Sequence, residues 1–352
     1  MSQNIKIATY NCENLFSRTR IFRENKSRSL ELLAWVAKLQ EELTKPVFDQ
    51  NILKTLKNDL KGYVIINDIR NKHDKPGIGA NEWFGWMEFQ KEPANAGAIK
   101  NLAQVITDVD ADIICLIEVE NRTLLQKFHD DILYKHYLKP AGKKKYEHIM
   151  LIDGNDDRGI DVSIMSRLPI NLVKSYIDDT TKYMGKTVKT FSRDCLHVQL
   201  DIKADKPLNI FINHLKSQGY SDKNDPQGNK RRLGQAERVV DILKNFNLKK
   251  DYVVVAGDLN ADPGSASLAP LVNHNDLYNL NLKLPPDERG TYQTGKKQFD
   301  YLLVSQPLEQ NVQNISIERR GIYSKKYPHY PGVTGKTTEA SDHAAVFAEF
   351  KI

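Results

Sequence analysis

Apolar residues recur along this chain at two spacings, about 3.6 and about 2 residues, as in helices and strands. Asn4 to Tyr10 reads as a short strand ending at Asn11. Ser27 to Leu60 is helical in pattern, with Leu30, Leu33, Ala34, Val36 and Ala37 among charges, and Pro46 divides it into two helices. Gly77 to Phe89, with Trp83, Phe84 and Trp86, reads as a loop packed onto the body. Asn95 to Val109 is a helix, and the apolar run within Asp112–Ile117 fits a strand buried on both faces. Asp161–Ser166 and Asp194–Ile202 are further strands, and Leu208–Asn213 places Leu208, Ile210 and Ile212 on one face. An amphipathic helix follows over Arg231–Phe246. Strands at Tyr252–Ala256, Tyr301–Ser305 and Ala344–Phe350 complete the series. No repeat, low-complexity stretch or linker interrupts it. The expected organisation is one α/β domain over residues 1–352, with an elaborated insertion at about 20–95.

Composition narrows this picture a little. At 40% hydrophobic and 27% charged residues, the chain has the balance of a soluble globular protein. No segment approaches the roughly 18 apolar residues of a membrane span, so no membrane association is expected. The start, Met1 to Lys6, lacks the zones of a signal peptide, which makes the cytoplasm the expected compartment. Cys12, Cys115 and Cys195 form neither a disulfide framework nor a C-x-x-C zinc pair. The net charge of +6 suits a polyanionic partner. Arg20 to Lys75 holds 12 Lys/Arg against 8 Asp/Glu, an excess of +4. No obligate protein partner is implied.

The chemistry lies at the strand ends. Asn11 follows Ile7–Tyr10, Glu118 follows Ile113–Ile117, His214 follows Phe211–Asn213, and Asp258 and Asn260 follow Val253–Gly257. Asp300 precedes Tyr301–Val304, and Asp342 and His343 precede Ala344–Phe347. In antiparallel sheets the carboxyl end of one strand lies beside the amino end of its neighbour, so these groups can meet at one sheet edge. Carboxylate and amide oxygens suit hard cations such as Mg²⁺ or Mn²⁺, and imidazoles beside them suit contact with a phosphoryl group. The set fits metal-assisted phosphoester hydrolysis.

Six segments, in order, carry a resemblance: Tyr10-Asn11-Cys12-Glu13-Asn14, Ile117-Glu118-Val119-Glu120-Asn121, Ile212-Asn213-His214-Leu215-Lys216-Ser217, Gly257-Asp258-Leu259-Asn260, Phe299-Asp300-Tyr301 and Ser341-Asp342-His343. Together they resemble the motifs of the endonuclease/exonuclease/phosphatase (DNase I-like) superfamily. The resemblance implies a four-layer α/β-sandwich, two mixed and mostly antiparallel sheets between helices. It implies Glu118 as principal Mg²⁺ (or Mn²⁺) ligand, with Asn11 beside it and Asp342 near the metal. Asp258 would activate or orient the attacking water, and Asn260 would hold water or phosphate. His343 would face the phosphate, with Asp300 on its other ring nitrogen. His214 and Arg193, the latter in Phe191-Ser192-Arg193-Asp194, would contact the phosphate.

Each residue also has a bland reading. Asn11 alone is a turn residue, Glu118 the first solvated residue after an apolar run, and Arg193 a surface arginine. Asp161 is a candidate support for His214, weighed against a turn role for Asp156-Asp157-Arg158-Gly159. Arg231 and Arg232 read as a solvated helix face, and the aromatics near Trp83 as core. Gly77-Ile78-Gly79 lacks the third glycine of a dinucleotide loop, and neither a P-loop nor H-E-x-x-H occurs. The expected activity is phosphodiester cleavage with water as nucleophile and nucleic acid as substrate. The alternatives are a phosphatase or phosphodiesterase on a small or lipid substrate, and an inactive nucleic-acid-binding module.

Overall fold

The computed structural model of the chain describes residues 3–15, 19–45, 47, 49–66, 87–90, 95–219 and 222–352. The chain divides into two compact units, Met1–Leu15 with Asn95–Ile352, and Phe16–Ala94.

The larger unit contains two six-stranded sheets. Their strands, in chain order, are β1 (Asn4–Leu15), β2 (Ile113–Val119), β3 (His148–Leu151), β4 (Asp161–Ser166), β5 (Ile170–Lys174), β6 (Cys195–Leu200), β7 (Leu208–His214), β8 (Tyr252–Asp258), β9 (Leu277–Asn279), β10 (Asp300–Ser305), β11 (Val312–Glu318) and β12 (Ala345–Lys351). The first sheet has the order β11-β12-β1-β2-β4-β3 and the second β9-β10-β8-β7-β6-β5. Only β1–β2 and β7–β8 pair in parallel; the other ladders of the two sheets are antiparallel.

Strand alternation builds the layers. In β2, Ile113, Cys115 and Ile117 join the core between the sheets, where they meet Ile210, Ile212, Val254 and Leu302. Ile114 and Leu116 point the other way and pack with Leu102, Val105, Ile106 and Val109 of the helix Ala96–Val109. On the far side, Phe211, Val253, Val255, Tyr301 and Leu303 pack with Ala236, Val239, Ile242 and Leu243 of the helix Asn229–Leu243. The result is the four-layer DNase I-like sandwich. Two ladders bring three of the candidate site residues to one sheet edge: His214 pairs with Asp258, and Asp258 pairs with Asp300.

The unit Phe16–Ala94 holds helices Lys26–Leu43 and Gln50–Asp59, capped by the side chains of Asn25 and Asp49. The expected break near Pro46 is thus observed. The apolar stripe differs from expectation: Leu32, Val36, Leu39 and Leu43 form the core with Leu53, Leu56 and Leu60, whereas Leu30 is exposed. Their spacing keeps one helix face inward, which Leu30 does not share. Of the segment read as a loop, Met87–Phe89 forms a strand antiparallel to Val64–Ile66. Trp83, Phe84, Trp86 and the glycines of Gly77-Ile78-Gly79 lie outside the described residues.

Candidate active site

The larger unit contains a cavity of about 490 Å³, lined by Glu118, Arg193, His214, Asp258, Asn260, Asp342 and His343 among others. Two bulges aim residues into it. The β1–β2 register shifts between Asn11 and Leu15, and the β2–β4 register shifts between Ile117 and Val119. Glu13 and Glu118, inside those irregularities, adopt φ of 46° and 64°, and Asn260 adopts 55°. A non-glycine residue held there carries roughly 1–3 kcal/mol of strain, a cost that clusters at functional sites. Gly257 has φ 127°, and a Cβ on it would meet the Asn213 carbonyl at 1.9 Å, so only glycine lets β8 lie this close to β7 beside the cavity.

Asp258 occupies the centre. Its Oδ2 accepts from Asn11 Nδ2 at 3.1 Å and lies 3.7 Å from His214 Nε2 and 3.8 Å from His343 Nε2. Asn11 Nδ2 also reaches Glu118 Oε1 at 3.4 Å, while its Oδ1 accepts the Glu13 N–H at 3.0 Å. Asn11 therefore bridges the two carboxylates through its amide nitrogen. Asn260 is tied down by its own N–H to Asp258 Oδ1 at 2.8 Å and by Nδ2 to the Leu215 carbonyl at 3.2 Å.

The two histidines differ in support. His343 Nδ1 lies 2.8 Å from Asp300 Oδ2, which also accepts from the Thr291 hydroxyl at 2.7 Å. Burial alone would lower the His343 pKa, but Asp300 first and then Asp258 outweigh it and hold the imidazole up at about 10. His214 is equally buried, its Nδ1 has no hydrogen-bond partner, and burial together with Arg193 pushes its pKa well down. Burial raises Asp258 to about 7 and raises Glu118 as well. Asp161, a candidate support for His214, instead accepts the Gly154 N–H at 2.8 Å.

Arg193 is 2% exposed, so its reading as a surface residue is corrected. Its Nε lies 2.9 Å from Asp156 Oδ2, an ion pair without hydrogen-bond alignment, and its Nη1 donates to the Leu215 carbonyl at 3.5 Å. Asp156 combines the expected turn with this brace, for it also pairs with Arg158 at 2.9 Å.

Several residues lining the cavity carried no assigned role in the sequence reading. Glu13 Oε2 accepts the Asp342 N–H at 2.9 Å, and burial followed by Asp342 raises its pKa to about 7. Tyr292 packs at 4.9 Å from both the His343 and Phe299 rings, and Lys297 lies over Phe299. Glu13 sits within a recognised motif and was findable from it; Tyr292 reaches His343 through an isolated bridge that no spacing announces.

Glu118, Asp258, Asp342 and Glu13 put four carboxylates into one cavity, two of them next to the Asn11 amide. Carboxylates gathered in this way, three of them (Glu118, Asp258 and Glu13) with raised pKa values, are a donor set that a hard divalent cation stabilises. Among the described residues, Asp258, Asp300 and His343 are the group whose ligand atoms lie within 4.8 Å of one another. Asp300 and His343 already satisfy each other, so the Glu118 side of Asp258 fits a cation better.

The endonuclease/exonuclease/phosphatase family profile matches residues 66–326. Among solved structures, the chain is similar to an endonuclease/exonuclease/phosphatase family protein from Bacteroides thetaiotaomicron at 14% identity, covering 100% of this chain and 99% of that one, with a TM-score of 0.54. It is similar to a mannosyl-6-phosphatase from the same organism at 12% identity, with 98% of each chain covered and a TM-score of 0.52. A family protein from Beutenbergia cavernae gives 14% identity, 99% and 72% coverage, and 0.52. No curated protein sequence matches. At these identities the structural likenesses bear on the fold alone.

Proposed function

Because the chain belongs to the endonuclease/exonuclease/phosphatase family, whose members are mostly hydrolases of phosphoesters, we propose that it cleaves phosphodiesters of nucleic acid with water as nucleophile and Mg²⁺ or Mn²⁺ as cofactor. The observation that carries the chemistry is the convergence of the Nε2 atoms of His214 and His343, the first imidazole with a lowered pKa and the second with a raised one, on one carboxylate oxygen, Asp258 Oδ2.

In this reading Asp258 takes the proton of the attacking water, and Asn260 holds that water's neighbourhood in place. His343, protonated and held by Asp300, faces the phosphoryl oxygens as their charge grows. Arg193 and neutral His214 donate to the same group from the other strand pair. Glu118 and Asp342 hold the cation, with Asn11 fixing Glu118. When bound, the cation supplies charge stabilisation at a phosphoryl oxygen.

The preference for nucleic acid rests on the net charge of +6 and on Arg158, Arg193 and Lys297 around the cavity. Binding of a duplex of about 20 base pairs to Glu118→Gln protein is then expected to weaken at least about tenfold between roughly 50 and 200 mM salt. Reversing charge at Lys54, Lys57 and Lys61, exposed positions of the smaller unit, should flatten that slope. A second reading, hydrolysis of a small phosphoester, is favoured by the cavity's volume, within the range of small-ligand sites. Brisk turnover of a sugar phosphate with a flat salt response on DNA and RNA would select it.

A further inference from the structure

Arg232 is 1% exposed and Gln235 is fully buried, both among the residues of the helix Asn229–Leu243 that are buried with Ala236, Val239 and Ile242. A solvated face was the sequence expectation for Arg231 and Arg232, and Arg232 overturns it. Its guanidinium reaches four neutral acceptors: Ser267 Oγ at 3.2 Å, the Lys216 carbonyl at 2.5 Å, the Gln227 carbonyl at 3.1 Å and Asn229 Oδ1 at 2.6 Å. Burying a cation among neutral groups is costly unless its donors are satisfied, so the fan of bonds fixes the loop segments that supply it.

Gln235, one turn on and on the same face, grips two segments at once. Its Oε1 accepts the Lys216 N–H at 2.8 Å, and its Nε2 donates to Ser192 Oγ at 2.8 Å and to the Thr190 carbonyl at 3.1 Å. Ser192 precedes Arg193, and Lys216 lies two residues after His214. Arg193 in turn donates to the Leu215 carbonyl. The chain thus closes a ring, from Gln235 to Lys216 and Leu215, across to Arg193, and back through Ser192 to Gln235.

We propose that Arg232 and Gln235 are positioning residues that set the spacing between Arg193 and the His214–Lys216 segment, and so shape the wall that binds the substrate's phosphoryl group. The inference rests on the reading that Arg193 contacts that group. The helix touches no reacting atom; it acts through the two segments it joins. A ring of this kind predicts non-additivity: once the Arg193 guanidinium is gone, breaking the ring at Gln235 has little left to disturb.

The test is a double-mutant cycle on the full-length, Mg²⁺-loaded protein. Affinity for inorganic phosphate is read by calorimetry, and KM and kcat on bis-p-nitrophenyl phosphate by absorbance. Gln235→Leu is expected to weaken phosphate binding and raise KM by about tenfold while kcat falls less; in an Arg193→Ala background the same change should cost no more than about twofold. Arg232→Lys, which keeps the charge and loses the fan, should move KM in the same direction. A merely structural role would lower the folded fraction and apparent kcat without changing the phosphate affinity of the folded protein. If Gln235→Leu fails to fold, Gln235→Glu retains the acceptor for Lys216 and removes the donor to Ser192, and the same criteria apply. Full additivity, or unchanged phosphate affinity in Gln235→Leu and Gln235→Glu, overturns the proposal while leaving Arg193 in place. No effect of Arg193→Ala removes the premise itself, and the proposal with it.

Discussion

His343 and His214 face the same oxygen of Asp258 at 3.8 and 3.7 Å, and both are buried. The pKa of the first is held up and that of the second pushed down. The difference lies on the far side of each ring. His343 has Asp300 at 2.8 Å on Nδ1, whereas the Nδ1 of His214 has no partner and Arg193 adds repulsion. One fold thereby sets two imidazoles apart by what stands behind them, a carboxylate acceptor behind one and no partner behind the other.

The harshest way to break this comparison is to remove what the rings share. Asp258→Asn should lower kcat roughly 10²–10⁴-fold with the circular dichroism unchanged; near-normal turnover would dismiss its role. Next comes the braced side. His343→Ala should cost roughly 10²-fold. Asp300→Asn should cost less and carry a sign: His343 acts protonated, so turnover is lost as pH rises through its pKa, and losing Asp300 moves that alkaline limb to lower pH. An unmoved limb would show that Asp300 does not set the charge of His343. The unbraced side should respond in binding. His214→Ala is expected to raise KM about tenfold with a smaller change in kcat, as loss of a contact made in ground and transition state alike; a pure kcat effect would place His214 in the chemical step instead.

The smallest expected effect concerns Asp161. Burial raises its pKa to about 6, so the folded state holds a proton that the unfolded state has released between its ordinary value near 4 and about 6. Stability therefore falls as pH rises through that window. Asp161→Asn should raise Tm at pH 7 by roughly 2–4 °C, on the order of 1 kcal/mol. The gain should vanish below about pH 4, and the kinetics should stay unchanged. A kinetic defect would reinstate Asp161 as a support of His214.

What was legible in the sequence is what strand register decides. Asn11, Glu118, His214, Asp258 and Asp300 lie at strand ends or bulges, and pairing carries them to one edge regardless of loop detail. The β7–β8–β10 neighbourhood and the four layers follow from the same apolar alternation. What was not legible depends on loops. The burial of Arg232 is dictated by carbonyls at Lys216 and Gln227, whose positions no helical periodicity encodes. Asp161 turns to Gly154 because the segment after β3 folds back on it. The edge strands β5 and β11 escaped because β5 has no fully buried residue and β11 only two, which blurs the apolar signal.

The most direct measurement is hydrolysis followed with one preparation of the protein in Mg²⁺, in Mn²⁺ and in EDTA, beside Glu118→Gln, against duplex and single-stranded DNA, RNA, bis-p-nitrophenyl phosphate and a sugar phosphate. Phosphodiester cleavage should require the cation, disappear in EDTA, return when metal is restored, and fall sharply in Glu118→Gln at the same metal concentration. Cleavage undiminished in EDTA, or equal in Glu118→Gln, would contradict the metal-dependent site assigned to Glu118 and Asp342.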